Sequence, residues 1–181
     1  MAGEIRKVGP GETEDVAGYS YVIDPADVAQ PILRPVLDYW DRKRGARPMP
    51  ARLDIDPLEL KAHLPHLFLI EPLAEAEFRY RLLGSEITER HGRNSTGKTL
   101  REAYADFPAV ADWLTGMLLA VTTSKRPVLA TGPLRAARKE HIFFEALHLP
   151  LSDDGVSVTM IFGAARYSPR ARPAEASLPE P

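Results

Sequence analysis

Five histidines, His63, His66, His91, His141 and His148, are the side chains best suited to proton transfer or metal ligation in this chain. None shows the i, i+4 spacing or short clustering that brings two imidazoles onto one ion, so no metal site is predicted. His141 and His148 lie seven apart on one expected strand and therefore point to opposite faces. Structural roles are the expectation for them. The absence of cysteine excludes disulfides, thiolate metal sites and cysteine nucleophiles together.

The acids mostly have local work. Asp24, Asp56 and Asp106 precede expected helices as caps, and Asp153 and Asp154 sit in an expected turn. Glu71 and Glu145 differ, because each interrupts an otherwise apolar strand. Such a residue is a buried acid able to exchange protons in a small pocket, or else an edge-strand or ion-paired side chain. Arg79 and Arg81 are at hand for Glu71, which favours the ion pair. The basic cluster Arg42, Lys43, Arg44 and Arg47 falls at the end of an expected helix, where the macrodipole favours cations. With a formal net charge of -2, the chain has no field to gather nucleic acid or anionic lipid.

The elements that must position these residues are legible in the apolar pattern. A length of 181 residues points to one domain with a sizeable core. Residues 1–23 carry no continuous apolar stripe and are expected to be loosely ordered. A helix start is expected at Asp24-Pro25-Ala26-Asp27, and Leu33, Val36, Leu37 and Trp40 then form one buried stripe. Asp56-Pro57-Leu58-Glu59 opens a short helix over 57–63. Strands are expected from His66 to Leu73 and from Phe78 to Leu83, the second with Phe78, Tyr80 and Leu82 on one face. Ser85 is placed to cap a brief helix that Gly92 ends. A longer helix runs from Asp106-Phe107-Pro108 with Val110, Ala111, Leu114, Met117, Leu118 and Val121 inward. Three more strands follow, Val128 to Leu134, His141 to Leu151 and Val156 to Tyr167, the last two joined through Ser152-Asp153-Asp154-Gly155. The proline-rich segment 168–181 is expected to be a disordered tail.

No signal-peptide core opens the chain and no run approaches the ~20 apolar residues that cross a bilayer, so a cytoplasmic protein is expected, without membrane or nucleic-acid partners. Five antiparallel strands, with helices inserted after the second and one N-terminal helix, make an α+β fold. Apolar residues fall on both faces of the sheet. The Leu33 to Trp40 helix is therefore expected to cover the outer face or to pair there with a second copy as a homodimer.

Tyr39-Trp40, PARLDIDP at 50–57, LPHLFLIEP at 64–72, FRYRLLGSEI at 78–87, Gly92-Arg93 and Thr96-Gly97 together resemble the stand-alone PAS-type domains abundant in alphaproteobacteria. The likeness spans about residues 30–167, inside a single expected domain at 24–167. It implies a PAS-like fold and a sensory or signalling role, with no shared catalytic residues and no defined cofactor. The domain is expected to bind a small molecule or a signalling partner and not to be an enzyme. The alternatives are a protein-binding adaptor without ligand and a small α+β-cone isomerase or hydratase using a buried strand carboxylate. His91 gains interest from the resemblance, because the region after the second strand borders the cavity of PAS-like folds. Tyr80, Trp113, Met117, Phe144 and Met160 join it as expected cavity residues, since aromatic and methionine side chains suit adaptable apolar sites.

Overall fold

The computed structural model describes residues 4–7, 16–26, 28 and 30–169. One sheet holds β1 (Glu4–Lys7), β2 (Ser20–Ile23), β3 (Leu67–Pro72), β4 (Phe78–Leu83), β5 (Val128–Leu134), β6 (Lys139–Leu151) and β7 (Met160–Pro169). Their spatial order is β1-β2-β5-β6-β7-β3-β4, with every neighbouring pair antiparallel. Among the described residues four α-helices accompany them: α1 (Leu33–Arg44), α2 (Ser85–His91), α3 (Leu100–Ala103) and α4 (Pro108–Ser124). The class is α+β, as the pattern implied, and the five expected strands are β3 to β7, contiguous in the sheet.

The other two strands correct the expectation of loose order over 1–23. Ser20–Ile23 pairs with Val128–Thr131 of β5, and Tyr19 and Tyr21 turn into the core at 3% and 6% exposure. Alternation over only a few residues carried that signal. Residues 1–3 and 8–15 lie outside the described residues, as do 170–181 of the expected tail. β7 passes the expected boundary at Tyr167 and ends at Pro169.

Helix α1 begins at Leu33 rather than after Asp24. Asp24 has φ +54° and its N–H donates to the Pro127 carbonyl at 2.7 Å, so it turns the chain out of β2 instead of capping a helix. Pro31 stops helix from extending upstream, whereas Pro35 falls in the first turn of α1, where no amide hydrogen is needed. Asp27 lies outside the described residues. Two other caps also differ: Gly84, not Ser85, flanks α2, and Phe107, not Asp106, flanks α4, neither with a side-chain bond. Asp56 does cap, accepting from the Leu58 N–H at 2.9 Å. The tight helical stretch it opens runs through Pro57–His66, so β3 starts one residue later than expected.

The sheet divides two apolar clusters. On its outer face Leu33, Val36, Tyr39 and Trp40 of α1 are at most 3% exposed and pack on Leu147, Leu149, Phe162 and Ala164, with Leu37 half-buried at the edge. The Trp40 indole N–H donates to the Pro150 carbonyl at 2.9 Å. The apolar stripe of α1 is thus spent on its own sheet. On the inner face α4 buries Val110, Ala111, Met117, Leu118 and Val121 against Phe68, Ile70, Ala130, Ala146 and Ile161.

A register shift between Leu69 and Ile70 pairs Ile70 with Tyr80 but Leu69 with Leu82, leaving Arg81 as the extra residue of a bulge in β4. Side-chain alternation therefore reverses along β4. Tyr80 and Leu83 face inward, while Leu82, expected on the inner face, is 45% exposed. The chain then breaks into α2 at Gly84, where a Cβ would collide with the Leu64 and Pro65 carbonyls. Glycine is what allows the two segments to touch.

Candidate functional site

Between the inner face of the sheet and helices α2 and α4 lies a cavity of about 90 Å³. Its floor is Phe68, Ile70, Phe144, Ala146 and Ala165, and its roof is Ile87, Val110, Leu114, Met117 and Leu118. The sheet alternates large and small residues here. Ala146 and Ala165 are cross-strand partners at the centre, and their short side chains leave the space that Phe144 and Phe68 bound.

One end of the cavity is polar. Tyr80 and Tyr104 hydroxyls stand 3.3 Å apart, and the His91 Nε2 is 3.2 Å from the Tyr167 hydroxyl. Ser95 and Arg93 complete this end, with the Arg93 guanidinium 5.7 Å from the centre of the Tyr104 ring. Local structure fixes each part. Gly92 adopts φ +68° and ends α2, so that Arg93 turns back and its N–H reaches the Thr88 carbonyl at 3.1 Å. Tyr104 is set by the Thr99–Glu102 capping box of α3, in which each residue's side chain accepts from the other's N–H.

Burial governs the protonation of this cluster. It lowers the His91 imidazole from 6.5 to about 4, with the Arg93 and Lys139 charges adding to the effect. Burial likewise raises the Tyr80, Tyr104 and Tyr167 phenols. At neutral pH the cluster is thus three hydroxyls and a neutral imidazole. His148, beneath Phe68 and bonded through Nδ1 to the Ala146 carbonyl at 3.1 Å, is also lowered to about 4 by burial.

Of the residues expected around a cavity, Tyr80, His91, Met117 and Phe144 line it. Trp113 and Met160 do not. Trp113 sits on the flank of α4 that meets β2 and the residue before it, its ring 4.9 Å from Tyr19 and 6.1 Å from Tyr21. Met160 points to the outer face with Phe162 and Ala164 and packs in the α1 cluster. Tyr19, Arg93, Ser95, Tyr104 and Tyr167 were missed. Tyr167 continues the inward series Ile161, Gly163, Ala165 and could have been found from it.

Both strand carboxylates lie on the outer face, away from the cavity. Glu71 is 3.9 Å from Arg79 and 3.8 Å from Arg81, and Glu145 is 3.1 Å from Arg166. The ion-pair reading describes them, and the cone-enzyme reading loses the inward acids on which it depended. Among the described residues no three His, Asp or Glu side chains converge as metal ligands, and no helix is long and apolar enough to cross a membrane.

A family model described as PAS domain matches residues 28–166. No curated protein and no solved structure matches the chain.

Proposed function

Since the chain belongs to the PAS domain family, we propose that it is a sensory domain whose input is a small molecule held between the sheet and α4. The cavity carries this reading: apolar walls with a few convergent polar groups at one end are the usual composition of a ligand site. Its 90 Å³ is smaller than the ~150 Å³ of an apolar cavity that accepts benzene. That space suits a ligand of a few heavy atoms rather than a flavin or haem. Among the described residues no carboxylate lines the cavity, so the strand-carboxylate chemistry of an isomerase or hydratase has no group there.

A ligand there would contact the segment that leaves the sheet at Gly84. Helix α2 is tied to the sheet's far end by the His91–Tyr167 contact and by Lys139, whose Nζ donates to the Arg90 carbonyl at 2.8 Å. A ligand that prefers one position of α2 shifts its population, and the outward surface of α2 carries the change to a partner. The test is a proton–nitrogen correlation spectrum of the full chain titrated with fractionated small-molecule extract. Shifts clustered at Ile87, His91, Arg93 and Met117 support the reading, and shifts confined to other surfaces contradict it.

A second reading, docking of a signalling protein, is favoured by Leu53 and Leu58, which are 95% and 77% exposed. The paired change Leu53→Asp and Leu58→Asp would abolish such docking while leaving small-molecule shifts in place.

A further inference from the structure

The charges around the cavity are one-sided. Arg90, next to the site, is neutralised by Glu86 at 2.7 Å, and on the outer face Arg79, Arg81 and Arg166 have carboxylate partners. Arg93 is the exception beside the cavity: among the described residues its guanidinium has no ion-pair partner, and its neighbour is the face of the Tyr104 ring. The Tyr80, Tyr104 and Tyr167 hydroxyls and Ser95 at that end can each donate a hydrogen bond, and the neutral His91 imidazole spends its Nε2 on Tyr167. A cation and several donors facing an apolar space are complementary to an anion with an apolar body. A cationic ligand would meet repulsion, and a neutral one would leave Arg93 unanswered.

Resting on the ligand-binding reading above, we propose that the ligand is a small organic acid, its carboxylate on Arg93 and the Tyr104 hydroxyl and its short chain among Ile87, Leu114 and Met117. Arginine suits this role because its planar fork can hold both carboxylate oxygens at once. Pairing is also what allows a carboxylate to enter an apolar site, since an unpaired buried charge is strongly disfavoured. The cavity's size limits the apolar part to a short chain.

The test uses butyrate, 1-butanol and butylamine as probes of equal chain length and different charge, titrated calorimetrically into the full chain and into Arg93→Gln and Arg93→Lys. Both variants are first shown to unfold cooperatively like the parent. Butyrate is expected to bind tightest. Arg93→Gln should weaken butyrate about ten- to a hundredfold, the range of a charge-assisted hydrogen bond, and leave 1-butanol unchanged. Arg93→Lys should recover part of the loss. Equal binding of 1-butanol and butyrate, or unchanged butyrate affinity in Arg93→Gln, overturns the acid assignment and leaves the cavity reading standing. Binding of none of the probes also overturns it. The sensor reading itself falls only if the extract titration gives no shift at the cavity residues.

Discussion

The Nε2 of His91 lies 3.2 Å from the Tyr167 hydroxyl, joining the end of α2 to the last strand of the sheet across the polar end of the cavity. This contact closes the path that the chain opens at Gly84. It also places a titratable group, neutral at pH 7, where it reports on the state of the site.

Acid should unfold the protein through His91 and His148. His91 and His148 are lowered to about 4 from the ordinary 6.5, so the unfolded chain takes up their protons first. Their stabilisation is complete above pH 6.5 and is lost as pH falls toward 4. Each histidine contributes a slope of about 1.4 kcal/mol per pH unit inside that window. Urea titrations at successive pH values should show this slope, and His148→Gln should remove about half of it.

Filling the cavity should stabilise the empty protein and block ligand. Ala146→Leu places a branched side chain in the 90 Å³ space and is expected to raise unfolding free energy by about 0.5–2 kcal/mol. Destabilisation by a comparable amount would mean that the site cannot accept the added volume. Thermal melts with and without the bound small molecule separate the two effects.

The outer apolar layer should be far more sensitive to truncation than the solvent side of α4. Trp40→Ala removes both the α1 anchor and the bond to Pro150, and is expected to cost about 3–5 kcal/mol. Leu119→Ala, on the exposed side of α4, should change stability by no more than about 0.5 kcal/mol. Chemical denaturation of both variants compares them directly.

Glu71→Gln and Glu145→Gln should each alter stability by about 1 kcal/mol or less, since both ion pairs are partly solvated. Neither should change ligand affinity. Loss of binding in either variant would bring the strand carboxylates back into the site chemistry.

Much of this architecture was readable because pattern and turn chemistry agreed. The bounds of β4 and β5, the Gly92 stop of α2 and the Asp56 cap were all legible. The Asp154 turn also formed, its carboxylate accepting from the Val156 and Ser157 N–H groups, each at 2.7 Å. Face assignment was harder. The bulge at Arg81 reverses the alternation that simple counting assumes, and so misplaced Leu82 and Leu83. Trp113 lies on an inward-leaning part of α4, but which strand it meets depends on β2, whose few residues carry little periodic signal. Arg93 entered only as part of the Gly92-Arg93 motif, with no role attached. Only the folded arrangement shows that it lines an apolar space without a carboxylate partner among the described residues, because that is a property of the whole neighbourhood.

The most direct test of a ligand in this cavity is native mass spectrometry of the full chain after incubation with cell extract, compared with Ala146→Leu treated identically. The expected result is a single small-molecule adduct on the parent chain, released on denaturation and missing from the variant. A parent chain that stays at its bare mass, or an adduct that Ala146→Leu retains, would contradict the account.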